Sequence, residues 1–168
     1  MINVGCVLLV TSAAGDRRNV MSLAWQTPVS SQPSLVGIAV ARTHFTAELI
    51  AQSREFVLNV PGADLLPQVG ASGSISGRAI DKFEKVKITA VPAQVVQAPL
   101  IRECLGHVEC RVVEQHTLGD HIFFVGEIVA ASANQGLFEE NRWHEQVQLL
   151  HHLGGDHYYL AGNRLLRG

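Results

Sequence analysis

The sequence predicts a mainly β chain closed into an antiparallel, Greek-key-like barrel with a few short helices. Three observations carry this. Apolar, β-branched runs recur along the chain and are joined by short Gly, Asp and Pro turns. Strand and helix do not alternate regularly, which argues against a doubly wound parallel sheet. Only two segments, one opening at Thr43 and one at 63–69, carry helical signals. With about seven or eight hairpin-linked strands, a sheet so poor in helices covers its edges most simply by closing on itself. The length of 168 residues corresponds to one domain, 1–168. A chain of this size buries about 70% of the surface exposed when unfolded, so a full core is possible.

The elements follow in order. Residues 5–11 are continuously apolar and β-branched, as in a strand buried on both faces, and the run reaches back to Val4. Ala14-Gly15-Asp16 is turn chemistry, and 19–27 resume extended structure as the hairpin partner. Pro28 and Pro33 bracket a Ser-rich connection over 29–34, after which 35–40 form the third strand. Thr43 is placed to cap a helix, with Thr46 spaced for the same turn. Phe45, Leu49 and Ile50 share one stripe of that helix. Residues 55–60 form a fourth strand ended by Pro61-Gly62, and 63–69 a short helix interrupted at Pro67. Short strand candidates at 86–89 and 93–96 flank Pro92. Residues 107–114 alternate as a strand, Gly119-Asp120 turns, and 121–131 form the long partner. The polar stretch 138–150 is a loop or partial helix, and 157–160 is the last strand.

Composition narrows the function classes. A net charge of −2, with no basic run, does not suit a nucleic-acid binder. Three cysteines, Cys6, Cys104 and Cys110, make an odd number with no disulfide framework. The N-terminal apolar run lacks a preceding basic region and stops at Val10, too short for a signal or a membrane span. The expected location is the cytoplasm, with no membrane partner.

Several chemical motifs fail. No G-x-G-x-x-G lies between a strand and a helix, and Gly77-Arg78-Ala79 cannot complete a P-loop. There is no G-x-S-x-G elbow. Cys104-x-x-His107-x-x-Cys110 offers metal-binding atoms at an unusual spacing, but on an alternating strand His107 points away from Cys110. His151-His152 fails for the same reason, so no metal site is expected. The Gly/Ser-rich stretch 70–77 is either a surface loop or a source of N–H groups for a phosphate. Arg42, Thr43, His44 and Thr46 at a helix start are either an ordinary capped helix beside a solvated Arg or an anion site. His121 at a strand start is equally open.

Taken together, several segments resemble the flavin reductase-like FMN-binding split-barrel family. Asn19-Val20-Met21-Ser22-Leu23-Ala24-Trp25, with Pro28-Val29-Ser30 and Pro33, is similar to its second strand. Thr46-Ala47-Glu48-Leu49-Ile50 and Glu55-Phe56-Val57-Leu58-Asn59-Val60 resemble its helix and next strand. Ser76-Gly77-Arg78 with Asp81-Lys82-Phe83, Gly119-Asp120-His121 with Phe124-Val125-Gly126-Glu127-Ile128, and His152-Leu153-Gly154-Gly155 with Tyr158 or Tyr159 complete the ordered set. The flavoredoxin branch is nearest in pattern. Gly5-Cys6 stands where many members have Gly-Pro, and fewer residues precede the first strand, which implies a reduced cap over the pocket.

The resemblance implies a split β-barrel holding FMN at a homodimer interface, with NADH or NADPH as the reductant. It assigns Asn19, Val20, Met21 and Ser22 to the isoalloxazine, where their backbone N–H groups would stabilise charge on the ring. It assigns Ala41, Arg42 and Thr46 to the phosphate end, and Ser76 and Lys82 to a segment reaching the cofactor. His121 would orient the nicotinamide. Met21 and Trp25 are also ordinary core types on a buried strand. Three functions compete: an NAD(P)H-dependent flavin reductase, a flavoredoxin-like electron carrier serving a partner protein, and a barrel that binds another ligand or serves assembly alone.

Overall fold

The computed structural model describes residues 5–160, so the expected strand start at Val4 lies outside it. The expected apolar strand is divided at Val7 into β1 (Gly5–Cys6) and β2 (Leu8–Ala14). Val7 donates its N–H to the Leu150 carbonyl at 2.8 Å, which draws β1 away from β2. The turn at Gly15, with φ 58°, leads to β3 (Arg17–Leu23). The expected single strand over 19–27 breaks at Ala24-Trp25, because the Trp25 carbonyl accepts from Ala39. The Ser-rich stretch is largely strand, β4 (Gln26–Ser31), and leads to β5 (Ser34–Ala41). Pro28 sits beside a register shift on this end strand, where a missing N–H is tolerated.

The cap position of helix α1 (Phe45–Ser53) is His44 rather than Thr43, and it makes no side-chain capping hydrogen bond. β6 (Glu55–Val60) follows as expected. A 3-10 turn, Ala63–Leu65, enters α2 (Leu66–Ser74). Pro67 lies at the start of this helix, where its missing N–H costs nothing, so it begins the helix instead of breaking it. Residues 70–74, expected as loop, are therefore helical. A third helix, α3 (Lys82–Val86), takes Val86 out of its expected strand. Asp81 caps it by accepting from the Phe83 N–H at 2.8 Å.

β7 (Ala90–Val91) pairs with β8 (Leu100–Ile101). The expected strand at 93–96 does not form. Its N–H groups at Gln94, Val95 and Val96 instead donate to the buried Glu109 carboxylate at 3.0, 2.7 and 3.2 Å. β9 (Gly106–Leu118) and β10 (His121–Ala133) form the long hairpin. The stretch 138–150 contains β11 (Phe138–Glu139) and β12 (Arg142–Trp143). β13 (Leu150–Gly154), not expected from the sequence, and β14 (His157–Leu160) complete a three-stranded sheet with β1.

The main sheet has the order β3-β2-β6-β9-β10-β5-β4, with every pairing antiparallel. Its end strands, β3 and β4, are consecutive in the chain, so Ala24-Trp25 joins the two edges. Val10, Met21, Ile38, Phe56, Cys110 and Phe124, from six different strands, meet in one core cluster. Ala47 and Ile50 of α1 plug one end of that barrel. Burying each such large apolar side chain contributes roughly 1.5–3 kcal/mol. A second cluster outside the barrel joins Val20 to Val69, Phe83 and Cys104 under α2 and α3.

Candidate functional site

The site forms along β3, whose side chains alternate between two environments. Met21 and Leu23 enter the barrel core, while Val20 enters the outer cluster with Val69 and Phe83. The Ser22 hydroxyl donates to the Val69 carbonyl, holding α2 against the strand. As an end strand, β3 has one backbone edge without a strand partner. Asn19 is 3% exposed and donates its Nδ2 to Thr46 Oγ1 at 2.8 Å. That bond ties β3 to the first turn of α1.

A cavity of about 270 Å³ opens beside these residues. Asn19, Met21 and Ser22 form its floor, residues 43–46 one wall, and residues 72–77 with Lys82 the other. Lys82 is 3% exposed and donates from Nζ to the Ser72 carbonyl at 2.6 Å. Burial pulls its pKa down to about 8. Asn19 Oδ1 and Ser72 Oγ are buried at the cavity wall and have no hydrogen-bond partner among the described residues. His44, at the cap of α1, is held below its ordinary pKa by burial and by the nearby charges of Lys82 and His121. Lys82 and the start of α1, which has no side-chain cap, give the chamber a positive potential.

A second chamber, of about 190 Å³, shares Met21, Ser22 and His44 with the first. It is bounded by Trp25, Ala39, Ala41, His121 and His152. The His121 ring stacks on Trp25 at 4.9 Å between centroids, and its Nδ1 lies 2.6 Å from Asp120 Oδ1. The hydrogen bond from His121 holds the Asp120 carboxyl below its usual range. A carboxylate on Nδ1 fixes that nitrogen as the proton carrier and leaves Nε2 free to accept. Trp25, a core type by residue class, is instead 50% exposed.

The first chamber thus brings together Asn19, Met21, Ser22, Thr46, Ser76 and Lys82, and the second adds Ala41 and His121. Two expected residues fall elsewhere. The Val20 side chain is fully buried in the outer cluster, which leaves only its backbone to the site. Arg42 is exposed and lines neither chamber; its N–H is held by the Asp120 carbonyl at 3.0 Å. Ser72 and Gly73 also line the cavity, and no sequence motif marks them, because the composition of the Gly/Ser-rich run is that of a loop. His152, part of the family-like C-terminal segment but unsuited to a metal pair with His151, reaches the second chamber, while His151 stacks on Tyr159. Cys104 and Cys110 lie in different core clusters, and His107 Nε2 bonds the Ile101 carbonyl at 2.8 Å.

Residues 4–159 match the model of the flavin reductase like domain. The Escherichia coli protein YddH is 35% identical over 175 aligned positions, covering all of this chain and 93% of that one. Among solved structures, an FMN-binding protein from Thermus thermophilus superposes with a TM-score of 0.90 at 26% identity, covering 99% of this chain and 92% of that one. The flavoredoxin from Methanosarcina acetivorans gives 0.89 at 28% identity, with 99% and 90% covered.

Proposed function

The chain belongs to the flavin reductase like domain family and has its FMN-binding split-barrel fold, and from that premise we propose that it binds FMN and reduces it with NADH or NADPH. The observation that carries the reading is the trough along β3, with a cationic chamber at one end and a Trp25–His121 chamber at the other. The residues present fit the cofactor. Buried Asn19 Oδ1 and Ser72 Oγ await partners, and Lys82 offers a buried charge suited to a phosphate. The space beside Asn19 exists because residue 77 is Gly: a Cβ there would collide with the Asn19 amide.

FMN, when bound, supplies the hydride-accepting chemistry. The protein's own part is position and charge. Lys82, Thr46 and the start of α1 hold the phosphate end. The unpaired edge of β3 over Asn19–Ser22 presents backbone donors to the ring, which favour negative charge there. Trp25 and Asp120 fix the His121 ring, which orients the nicotinamide by its free Nε2. We include in the reading a homodimer with the flavin at the subunit interface, supported by exposed Leu118, Val113 and Trp25. Light scattering of the purified protein measures this directly. The three free cysteines suit a reducing cytoplasm.

The test is the visible spectrum of the FMN-loaded protein before and after anaerobic NADH or NADPH, followed by steady-state turnover with added FMN. Bleaching and turnover with either nucleotide support the reductase reading, and a bound flavin inert to both overturns it. The likeness to the Methanosarcina acetivorans flavoredoxin favours a second reading, an electron carrier that is reduced by a partner protein. A yellow protein reduced by dithionite but not by pyridine nucleotides is its signature.

A further inference from the structure

We propose that an arginine-lined cleft beyond Gly77, outside both chambers, is an adenylate subsite: it takes the adenosine 5′-phosphate half of a dinucleotide. FAD and NAD(P)H both carry that half. The proposal rests on the flavin reading above and adds to it a second ligand-binding region.

The cleft has a volume of about 280 Å³ and shares Phe45 and Gly77 with the first chamber. Gly77 contributes no side chain to that boundary. Arg78 stands at the join: it lines the cleft, and its Nη2 donates at 3.3 Å to the carbonyl of Thr43, which lines the chamber. A flavin whose phosphate end meets Lys82 and Thr46 therefore ends beside the cleft, where the second phosphate of a dinucleotide continues. Small-ligand sites start at about 300 Å³, so the cleft suits half of a dinucleotide better than a whole one.

The walls are made for a planar base. Arg17, Arg18 and Arg78 line the cleft, and each guanidinium sits over an aromatic ring. Arg17 and Arg78 lie 5.2 and 5.4 Å from the Phe45 centroid, and Arg18 lies 4.7 Å from that of Phe83. A guanidinium is planar, and one seated on a ring on one side takes a base on the other. Ile80, 40% exposed, adds an apolar wall. Asp16 also lines the cleft. Its carboxylate repels a phosphate but accepts from an exocyclic amino group, which adenine carries.

The donors exceed the acceptors that meet them. Arg17, at 3.0 Å, and Arg78 share the single carboxylate of Glu48, and Arg18 pairs with Asp81 at 2.7 Å. Each guanidinium carries five N–H donors, more than a shared carboxylate occupies. These ion pairs are partly exposed, and pairs of that kind are weak enough to rearrange toward a phosphate. Arginine meets a phosphate through two parallel N–H bonds, so Arg17 and Arg78 are the pair placed to hold the adenylate phosphate.

The experiment is isothermal titration of the full chain with FMN and with FAD, and of the FMN-loaded protein with AMP, whose phosphate cannot then enter the first chamber. Turnover of the FMN-loaded protein with NADH or NADPH is measured with and without AMP. The expected result is that AMP binds the FMN-loaded protein and that Arg17→Ala combined with Arg78→Ala weakens it at least about tenfold. Two arms distinguish the sources of the adenylate. If it belongs to FAD, FAD binds at least about tenfold tighter than FMN, and the double variant brings that ratio close to one. If it belongs to NAD(P)H, AMP raises KM for the nucleotide and leaves kcat level. AMP that fails to bind the FMN-loaded protein, or binds the double variant equally well, overturns the proposal while leaving the flavin site intact. AMP binding with neither the FAD preference nor the rise in KM overturns it too. Binding of neither flavin overturns the flavin reading and this proposal together. The arms on the unaltered protein decide the matter even if the variant fails to fold.

Discussion

Replacing Gly77 by Ala tests whether the cavity depends on a single missing methyl group. The Gly77 backbone is outside the left-handed region, so alanine meets no conformational penalty there. The penalty is steric. Its Cβ would collide with Asn19 Oδ1 and lie 2.9 Å from Asn19 Cγ and 3.0 Å from Lys82 Cδ. Asn19 is buried and bonded to Thr46, so it must rotate or the 75–78 segment must lift. Losing the Asn19–Thr46 bond and leaving a buried polar group unpaired costs about 2–3 kcal/mol. The same shift pushes the amide or Lys82 into the chamber and weakens FMN binding by roughly tenfold or more, equivalent to 1.4 kcal/mol. Gly73→Ala is the control for stability. Its Cβ would meet nothing closer than Ser22 Cβ at 3.7 Å, and it lies inside α2, where Ala is favoured over Gly by about 0.5–1 kcal/mol. Urea unfolding of both variants and fluorescence titration of Gly77→Ala with FMN are the assays. If Gly77→Ala unfolds within about 0.5 kcal/mol of the parent and binds FMN equally well, the steric argument is wrong.

Three further outcomes follow from the same structure. Asn59 is fully buried; it donates to the Leu9 carbonyl and Thr11 Oγ1 and accepts from the Ile101 N–H. Asn59→Ala should therefore lower unfolding free energy by about 3 kcal/mol in urea titrations, and a loss below about 1 kcal/mol contradicts the network. Asp81 has a lowered pKa despite its burial, because Arg18 and the Phe83 N–H favour the carboxylate. Its stabilisation is complete above the unfolded pKa of about 4 and is lost as pH falls through the folded value. The stability gap between the parent and Asp81→Asn, under about 1 kcal/mol for this partly exposed pair, should close below that point; a gap that widens in acid refutes the assignment. His121→Ala should raise KM for NADH or NADPH by about three- to tenfold through loss of one oriented contact, while leaving FMN affinity unchanged. An unaltered KM removes His121 from the nicotinamide site.

Much of the fold follows from local pattern. The β6 bounds and the final strand β14 match the sequence reading, as does the turn before His121. Alternation, β-branching and a Gly-Asp pair all act over a few residues. The inward stripe of Phe45, Leu49 and Ile50 is legible for the same reason. Errors arise where a distant partner overrides the local signal. Residues 93–96 have strand composition, but the Glu109 carboxylate from β9 captures their N–H groups. Residues 70–74 have loop composition, but packing of Val69 and Ser72 against β3 and α3 keeps them helical.

The sequence by itself determined the family and pointed to β3 as the strand of the candidate site, because an ordered set of short motifs survives without knowledge of their distances. Asn19, Met21, Ser22, Thr46, Ser76 and Lys82 were all visible as members of that set. Only the tertiary structure decided where each of them lies. Arg42 and Lys82 are both cations near expected phosphate-binding segments, but the turn after β5 leaves Arg42 in solvent while α2 and α3 close over Lys82. Burial converts the second into a charge in need of a partner and leaves the first a solvated one. That difference depends on which elements pack together, a property carried by no short stretch of the chain.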